Sequence, residues 1–394
     1  MDKNTITGFI LMALVLIGFS WYSRPSEEQL RAAHERDSIA AAQLIEAQKA
    51  EAAKKTALSD SVAEPSSALP DSTSALFAAS QGTEQLITLE NDLVKLTLNT
   101  HGGMIEEAVI KGHLDQQKQP VRLLTQQDAR LSLMLAGKAE NIISDQLYFE
   151  AVNATDSSVT MRVPIAEGTL DIDYLLRPNA YMLDMVVTAH GIANLFAPSM
   201  KTLDIEWTDR ARQLEKGFDF ENRYACIRYH RADGKTKNLS ETSDQEKDIE
   251  EPLDWVAFKN QFFSAVLISQ QELTSAHLKS QLYKKGQGYL KNYEATMQTA
   301  FDPTGAQPTQ FQLYLGPNDF HLIQDVEEQS EFDLDLDLER LVYLGWPLFR
   351  YINRWFTLPV FDGLTSIGLS MGIVLILITL LLKAITFPMV KKSY

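Results

Sequence analysis

The sequence predicts a mainly β protein: a large β-sandwich between two transmembrane α-helices, with an amphipathic helix lying before the second. Three observations predict it. Uncharged apolar runs lie near both ends of the 394-residue chain, the long middle alternates apolar and polar residues with period two, and an aromatic, arginine-bearing stretch separates that middle from the second run.

Composition narrows the function classes. The chain carries 52 acidic and 36 basic side chains, a net charge of −16, which argues against a non-specific nucleic-acid binder because phosphates are held by Lys and Arg. A single cysteine excludes an intramolecular disulfide and a cysteine zinc cage. Mean hydropathy of −0.15 suits a soluble protein only as an average over very uneven segments.

Residues 1–22 contain the 17-residue uncharged run Ile6 to Tyr22. A cleaved signal peptide and a retained anchor both fit such a run; the bulky Phe19, Trp21 and Tyr22, where a small-x-small cleavage site would lie, favour the anchor. Residues 23–85 are first rich in Ala, Glu, Gln and Lys and then in Ser, Ala and Pro, which reads as a tether, helical and then disordered.

From residue 86 to 335 the period-two pattern takes over. Val159, Met161, Val163 and Ile165 alternate with polar residues, as do Leu170, Ile172, Tyr174 and Leu176, and Phe311, Leu313 and Leu315. These are half-buried antiparallel strands. Turn signals divide them at Gly102-Gly103, Asn153 to Asp156, Arg177-Pro178-Asn179 and Asp302 to Gly305. The polar stretch Arg231 to Asp254 reads as a mobile loop.

No catalytic or metal signature emerges in this block. The seven histidines show no metal spacing, Cys226 and His230 have no further ligands nearby in sequence, and no phosphate-binding glycine loop occurs. The alternating Asp333, Asp335 and Asp337 lack the glycine and closing glutamate of a calcium loop, so Glu331 to Glu339 reads as a solvated strand or linker. The reading is of a non-enzyme with no cofactor and no metal.

Residues 336–365 hold the amphipathic helix. Leu348, Phe349, Ile352, Trp355 and Phe356 fall on one side and Arg350, Asn353 and Arg354 on another, with Pro347 suited to a first turn. Such a helix either docks on the sandwich or lies in the membrane interface, and its place next to an apolar run favours the interface, with Trp346, Phe349, Trp355 and Phe356 as anchors.

Residues 366–394 form the second span. Ser366 to Val390 is a 25-residue run with one charge, Lys383, and Lys391 and Lys392 follow it, which marks the cytoplasmic side. Two spans place both termini in the cytoplasm and about 23–365 outside. Four lysines and Asp2 are the only charged residues outside 23–382, so that segment holds 32 basic and 51 acidic side chains, a net −19. Lys383 lies eight residues before Lys391, ~12 Å along a helix, where an unpaired lysine costs roughly 2.5–3.5 kcal/mol. Two readings stand. Its stem can carry the ammonium to the interface, or it serves a water-lined site. Thr379 and Thr386, at i−4 and i+3, make a polar stripe with it, and Pro388 leaves the Ala384 carbonyl without its helical donor, both of which favour the site.

The segment ITLLLKAITFPMVKKSY (378–394) resembles the first core helix of the YidC/Oxa/Alb family of membrane insertases, in which a basic residue followed five positions later by proline opens the signature. Four further blocks look like that family's periplasmic region: LTLNTHGGMIEEAVI (96–110), WVAFKNQFFSAVLI (255–268), LYLGP (313–317) and LGWPLF (344–349). The resemblance implies a periplasmic β-supersandwich like that of sugar mutarotases, an interfacial helix, and a core of five transmembrane helices enclosing a hydrophilic groove. It implies a bacterial inner-membrane protein that inserts and folds integral membrane proteins, alone or with the Sec translocon and its accessory subunits, in contact with the lipid bilayer and not with nucleic acid. Lys383 matches the groove's basic position, usually Arg, with Thr379 and Thr386 beside it and Pro388 breaking the helix. Only the first core helix lies within these 394 residues, so the chain is expected to be an N-terminal portion. The alternative is a membrane-tethered, mutarotase-like domain that binds or modifies carbohydrate.

Overall fold

The computed structural model describes residues 74–392 apart from Asp333 and Trp346, and leaves the side chains of 347–349, 385, 386 and 388–392 undescribed. The predicted anchor (1–22) and the tether up to residue 73 lie outside the described residues. Everything described belongs to one compact unit, Leu69–Tyr394.

The fold is mainly β, as its alternation predicts. β1 (Leu86–Glu90), β2 (Val94–Asn99), β3 (Ile105–Leu114) and β4 (Pro120–Arg122) make a four-stranded meander. Next come β5 (Ala129–Leu135), β6 (Ile142–Ile143), β7 (Glu150–Val152), β8 (Ser158–Ile165), β9 (Gly168–Leu176), β10 (Met182–His190) and β11 (Thr202–Arg212). A seven-residue helix, α1 (Phe218–Tyr224), leads into β12 (Cys226–Arg231), β13 (Lys235–Asn238), β14 (Gln245–Ile249) and β15 (Leu253–Lys259). β16 (Phe263–Leu273), β17 (Ser275–Leu282), β18 (Tyr289–Ala300) and β19 (Thr309–Pro317) complete the strands. Two large sheets result: nine strands in the order β13-β12-β15-β16-β19-β10-β9-β8-β7, and six in the order β14-β17-β18-β11-β5-β6.

Alternation decides which face is core. The alternating residues Val159, Met161, Val163 and Ile165, Leu170, Ile172, Tyr174 and Leu176, and Phe311, Leu313 and Leu315 are all buried, while Leu175 on the other face is exposed. On the other face of β8 and β9, Arg162 makes a forked pair with Asp171 at 2.6 and 2.9 Å. Trp207 of β11 stacks on Phe258 of β15 with centroids 3.9 Å apart, so the two large sheets share one core. The predicted turns are real: Gly102, Gly103, Asn153, Asn179 and Gly305 all have positive φ, the left-handed backbone that glycine and asparagine adopt most readily.

Two expectations are corrected. Arg231 to Asp254 is not a loop: it contains β13, β14 and the start of β15. β13 and β14 are the outermost strands of the two large sheets, where charged sequences suit a solvated edge. The last residues of the expected tether also pack. Leu76 and Ala79 are buried, the Ser74 hydroxyl donates to Glu140 at 2.6 Å, and Tyr148 N donates to the Ala79 carbonyl at 2.7 Å. These contacts hold a segment whose composition alone reads as disordered.

Candidate functional site at the C-terminal helices

After β19 the chain enters α2 (Phe320–Glu328), capped by Asp319, whose carboxylate accepts from His321 N and Leu322 N at 3.0 Å each. Phe320, Ile323 and Val326 turn one face of α2 into the core. The acidic stretch then returns along the sandwich. Leu336, Leu338 and Leu341 are buried, whereas Asp335 is exposed. The indole Nε1 of Trp255 donates to the Leu336 carbonyl at 2.7 Å, the Glu327 carboxylate accepts from Asp337 N and Leu338 N, and the Arg228 guanidinium donates to the Arg340 carbonyl. This is a clamped linker. Among the described residues no group of three or more His, Cys, Asp or Glu could hold a metal ion.

Beyond it lie α3 (Pro347–Ile352), a π-helical turn (Asn353–Thr357) and α4 (Leu358–Ser366). Pro359 cannot donate to the Trp355 carbonyl, and the Leu358 N–H reaches back five residues to the Asn353 carbonyl instead, which widens the turn. The polar side faces the sandwich. Arg354 pairs with Glu339 and lies 5.9 Å from the centre of the Phe320 ring, Asn353 donates to the Leu344 carbonyl at 3.0 Å, and His321 Nε2 meets the Asp362 carboxylate at 3.0 Å. The apolar side faces away: Trp355 is 75% exposed, Tyr351 and Ile352 are exposed, and Phe356 is half-buried. Trp346 and the Phe349 side chain lie outside the described residues. The polar side therefore docks on the sandwich, one of the two placements the sequence left open, and the apolar side of the same segment is left exposed.

Two residues after α4, the Gly368 N–H donates to the Thr365 carbonyl at 2.9 Å, and α5 (Met371–Lys392) follows. Val374 and Ile378, one turn apart, are buried; Ile373, Leu375, Ile376, Leu380, Leu381 and Phe387 are exposed on other sides. An all-round apolar helix is one that lipid or further helices must cover. The described side chains of α5 run without a break only from Met371 to Ala384, short of the roughly 20 residues that span a bilayer, and among the described residues no helix is long and apolar enough to cross a membrane. Lys383 is exposed on α5, and Thr379, one turn before it, donates its hydroxyl to the Leu375 carbonyl at 2.7 Å. Thr379 thus keeps only acceptor capacity for anything beside the helix. The side chains of Thr386 and Pro388 are outside the described residues.

A second concave feature lies elsewhere. A cleft of about 430 Å³ opens over β8, β9, β10 and β19, with Thr160, Asp173, Asp184, Gln312 and Glu331 among its lining residues. Among its described lining residues there is no histidine; Asp184 is engaged by Arg177 at 2.7 Å and Gln312 at 3.0 Å and Asp173 by Thr160 at 2.5 Å, whereas Glu331 is exposed.

Sequence reasoning misses the groups that hold the helices to the sandwich. His321 and Asp362 are 41 positions apart and Arg354 and Glu339 are 15 apart, so no local pattern announces either pair. It also misses a buried polar cluster behind α1. Lys259 Nζ donates to the carbonyls of Tyr224 (3.1 Å) and Asn260 (2.9 Å), and burial lowers its pKa to about 8. Burial raises that of Glu221 to about 7, although its carboxylate accepts from Leu214 N and Glu215 N.

Comparison with known proteins places this architecture. Residues 86–362 match the family model of the YidC periplasmic domain. Over the whole chain the sequence is 46% identical to a membrane protein insertase YidC of Phocaeicola vulgatus and 44% identical to one of Bacteroides fragilis, spanning 63% of each. The chain thus spans less than two thirds of the curated relatives it matches. A solved structure of an active YidC insertase with its first transmembrane domain resolved superposes at TM-score 0.33 and 13% identity, over 78% of this chain and 56% of that one. A family model that takes in the sandwich, α3 and the start of α4, and relatives of this identity along the full 394 residues, establish that the chain belongs to the YidC family.

Proposed function

We propose that this chain is part of a non-enzymatic insertase that moves apolar segments of newly made membrane proteins into the bacterial inner membrane and helps them fold. The observation that carries the reading is α5: a helix apolar on all sides that exposes Lys383 one turn after Thr379, in a chain 46% identical to proteins named insertases. Lipid covers such a helix on one side, and a polar groove shared with further core helices receives the lysine on the other.

In this reading residues 1–22 and 366–394 span the membrane, both ends are cytoplasmic, the tether and sandwich are periplasmic, and Trp346, Phe349, Trp355 and Phe356 lie among the headgroups. The Lys383 ammonium attracts the acidic flank of an incoming protein, with Thr379 and Thr386 beside it and Pro388 loosening the helix. Transfer of the apolar segment itself is downhill by about 25 cal/mol per Å², so no nucleotide or cofactor is needed. The insertase acts alone or with the Sec translocon.

The test uses the full-length protein in a depletion strain, with a single-span substrate bearing an acidic periplasmic tail. Lys383→Gln is expected to lower its insertion about tenfold, the equivalent of ~1.4 kcal/mol, and Lys383→Arg to preserve it. Unchanged insertion by the glutamine variant would sink the assigned role.

A further inference from the structure

We propose that the clamped linker is a pH-operated latch: His230, sealed beneath it, is neutral while the linker is down, and protonation of its ring lifts the linker off the sandwich. The proposal stands apart from the insertase reading. His230 is 1% exposed on β12, and its Nδ1 lies 2.9 Å from a carboxylate oxygen of Asp254, itself 4% exposed. A β-bulge makes this meeting. His230 pairs with Trp255 and Arg231 with Leu253, which leaves Asp254 as the extra residue of β15, and a bulge re-aims the side chain it inserts. An aspartate loses its proton well before an imidazolium does, so Nδ1 carries the hydrogen and donates it to Asp254. The other ring nitrogen, Nε2, is buried and has no hydrogen-bond partner among the described residues.

The linker is what seals Nε2. Thr236, His230 and Trp255 stand side by side across β13, β12 and β15, and Arg228 lies two residues along β12 on the same face. Each of these three neighbours of His230 bonds to the linker: Thr236 to the Asp337 carboxylate at 3.4 Å, Trp255 to the Leu336 carbonyl at 2.7 Å, and Arg228 to the Arg340 carbonyl. The Trp255 ring also stacks on the imidazole, with centroids 5.8 Å apart.

A further proton has only Nε2 to bind. With the linker down, the N–H so formed is a charged donor without an acceptor; with the linker lifted, it donates to water. Asp254 belongs to the strands and stays on Nδ1 in either state, so its attraction for the charged ring favours neither. The charges nearby are largely matched. On the linker Asp337 pairs with Arg340 at 2.6 Å and Glu339 with Arg354, while Asp335 is exposed to solvent. On the strands Arg231 pairs with Asp233 at 3.2 Å and Glu251 at 3.0 Å, and Lys235 and Lys237 flank Thr236 on the other face of β13. Arg228 adds a cation on the ring's own face, and its Nε is likewise buried without a partner. From α2, Glu327 holds Asp337 N and Leu338 N, and burial pushes its carboxyl above the usual range, so it is a second group that acid can unfasten. Lifting is therefore favoured as pH falls through the ordinary histidine range, about 8 to 5. Because Glu339 of the linker holds Arg354, the lifted linker also slackens the grip of the sandwich on the π-helical turn.

Hydrogen exchange of the full chain in detergent micelles tests this at the Asp337 and Leu338 amides, from about pH 7.5 to about pH 5.5, with each rate corrected for intrinsic exchange chemistry. The opening equilibrium is expected to rise about tenfold, the equivalent of ~1.4 kcal/mol and within the cost of one buried donor left without an acceptor. His230→Asn, whose amide can still donate to Asp254 but does not titrate, is expected to be flat over that range. Glu327→Gln is expected to exchange faster at both ends and to keep the tenfold ratio.

A second measurement needs no variant. With the histidine nitrogens isotopically labelled, magnetic resonance of the wild-type chain at about pH 7.5 is expected to show the His230 ring as the neutral Nδ1–H tautomer. A charged ring or an Nε2–H tautomer there overturns the latch. A pH response that survives in His230→Asn overturns it as well, and so does one that Glu327→Gln flattens.

Discussion

Glu221 and Lys259 occupy the junction where α1 carries the chain from the six-stranded to the nine-stranded sheet, and both are buried against their charge. Their effects on stability have opposite signs and separate pH windows. The folded protein binds the Glu221 proton more tightly than the unfolded chain does, so this stabilisation is complete below pH 4.5 and is lost as pH rises through about 7. Glu221→Gln is expected to remove about 3 kcal/mol of pH-dependent loss across that window, seen as a flattened denaturation midpoint against pH. Lys259 behaves conversely. Its folded pKa of about 8 lies below 10.5, so the unfolded chain binds the proton more tightly and stability rises between those values. A Lys259→Met variant whose midpoint still climbed over that range would show that another group is responsible. Neither residue was legible in the sequence, since a lysine or glutamate in a strand-rich block reads as solvent-facing until its neighbours are known.

Among the elements, the α3 to α4 segment is the one whose two faces do different work. Its polar face is attached to α2 and the clamped linker by Arg354 with Glu339 and His321 with Asp362, all partly exposed. Each such pair is worth little. Removing both, with Arg354→Ala and His321→Ala, is expected to speed amide exchange over 347–366 about fivefold, the equivalent of ~1 kcal/mol of exposed ion pairing. The strands around Val159, Leu170 and Phe311 were legible because one face is wet and the other dry, so burial is written as alternation. β13 and β14 were not, because a sheet edge is wet on its free side as well and Lys235 to Asn238 or Gln245 to Ile249 then resembles a loop. The stretch from Glu331 to Glu339 hid its clamp for a related reason: its leucines pack while its aspartates stay outside, and its hydrogen bonds run from distant Trp255 and Arg228 to backbone carbonyls.

Over the whole molecule, the two large sheets depend on a small number of interlocking rings. Trp207 is buried between them on Phe258, which lies 5.1 Å from Tyr293. Trp207→Ala is expected to cost about 3–5 kcal/mol, read as a lower denaturant midpoint, whereas truncating Leu175 on the open cleft should change it by less than about 1 kcal/mol.

The clamped linker has a mechanical consequence. A flexible strap between domain and helices would absorb any pull on the sandwich as slack. Here the strap is fastened at Leu336, at Asp337 and Leu338, and again at Arg340, seven positions before α3 begins. A sideways load on the sandwich would then be passed towards α3 and α4 through these bonds and the contact of α2 with α4 rather than being taken up in the strap.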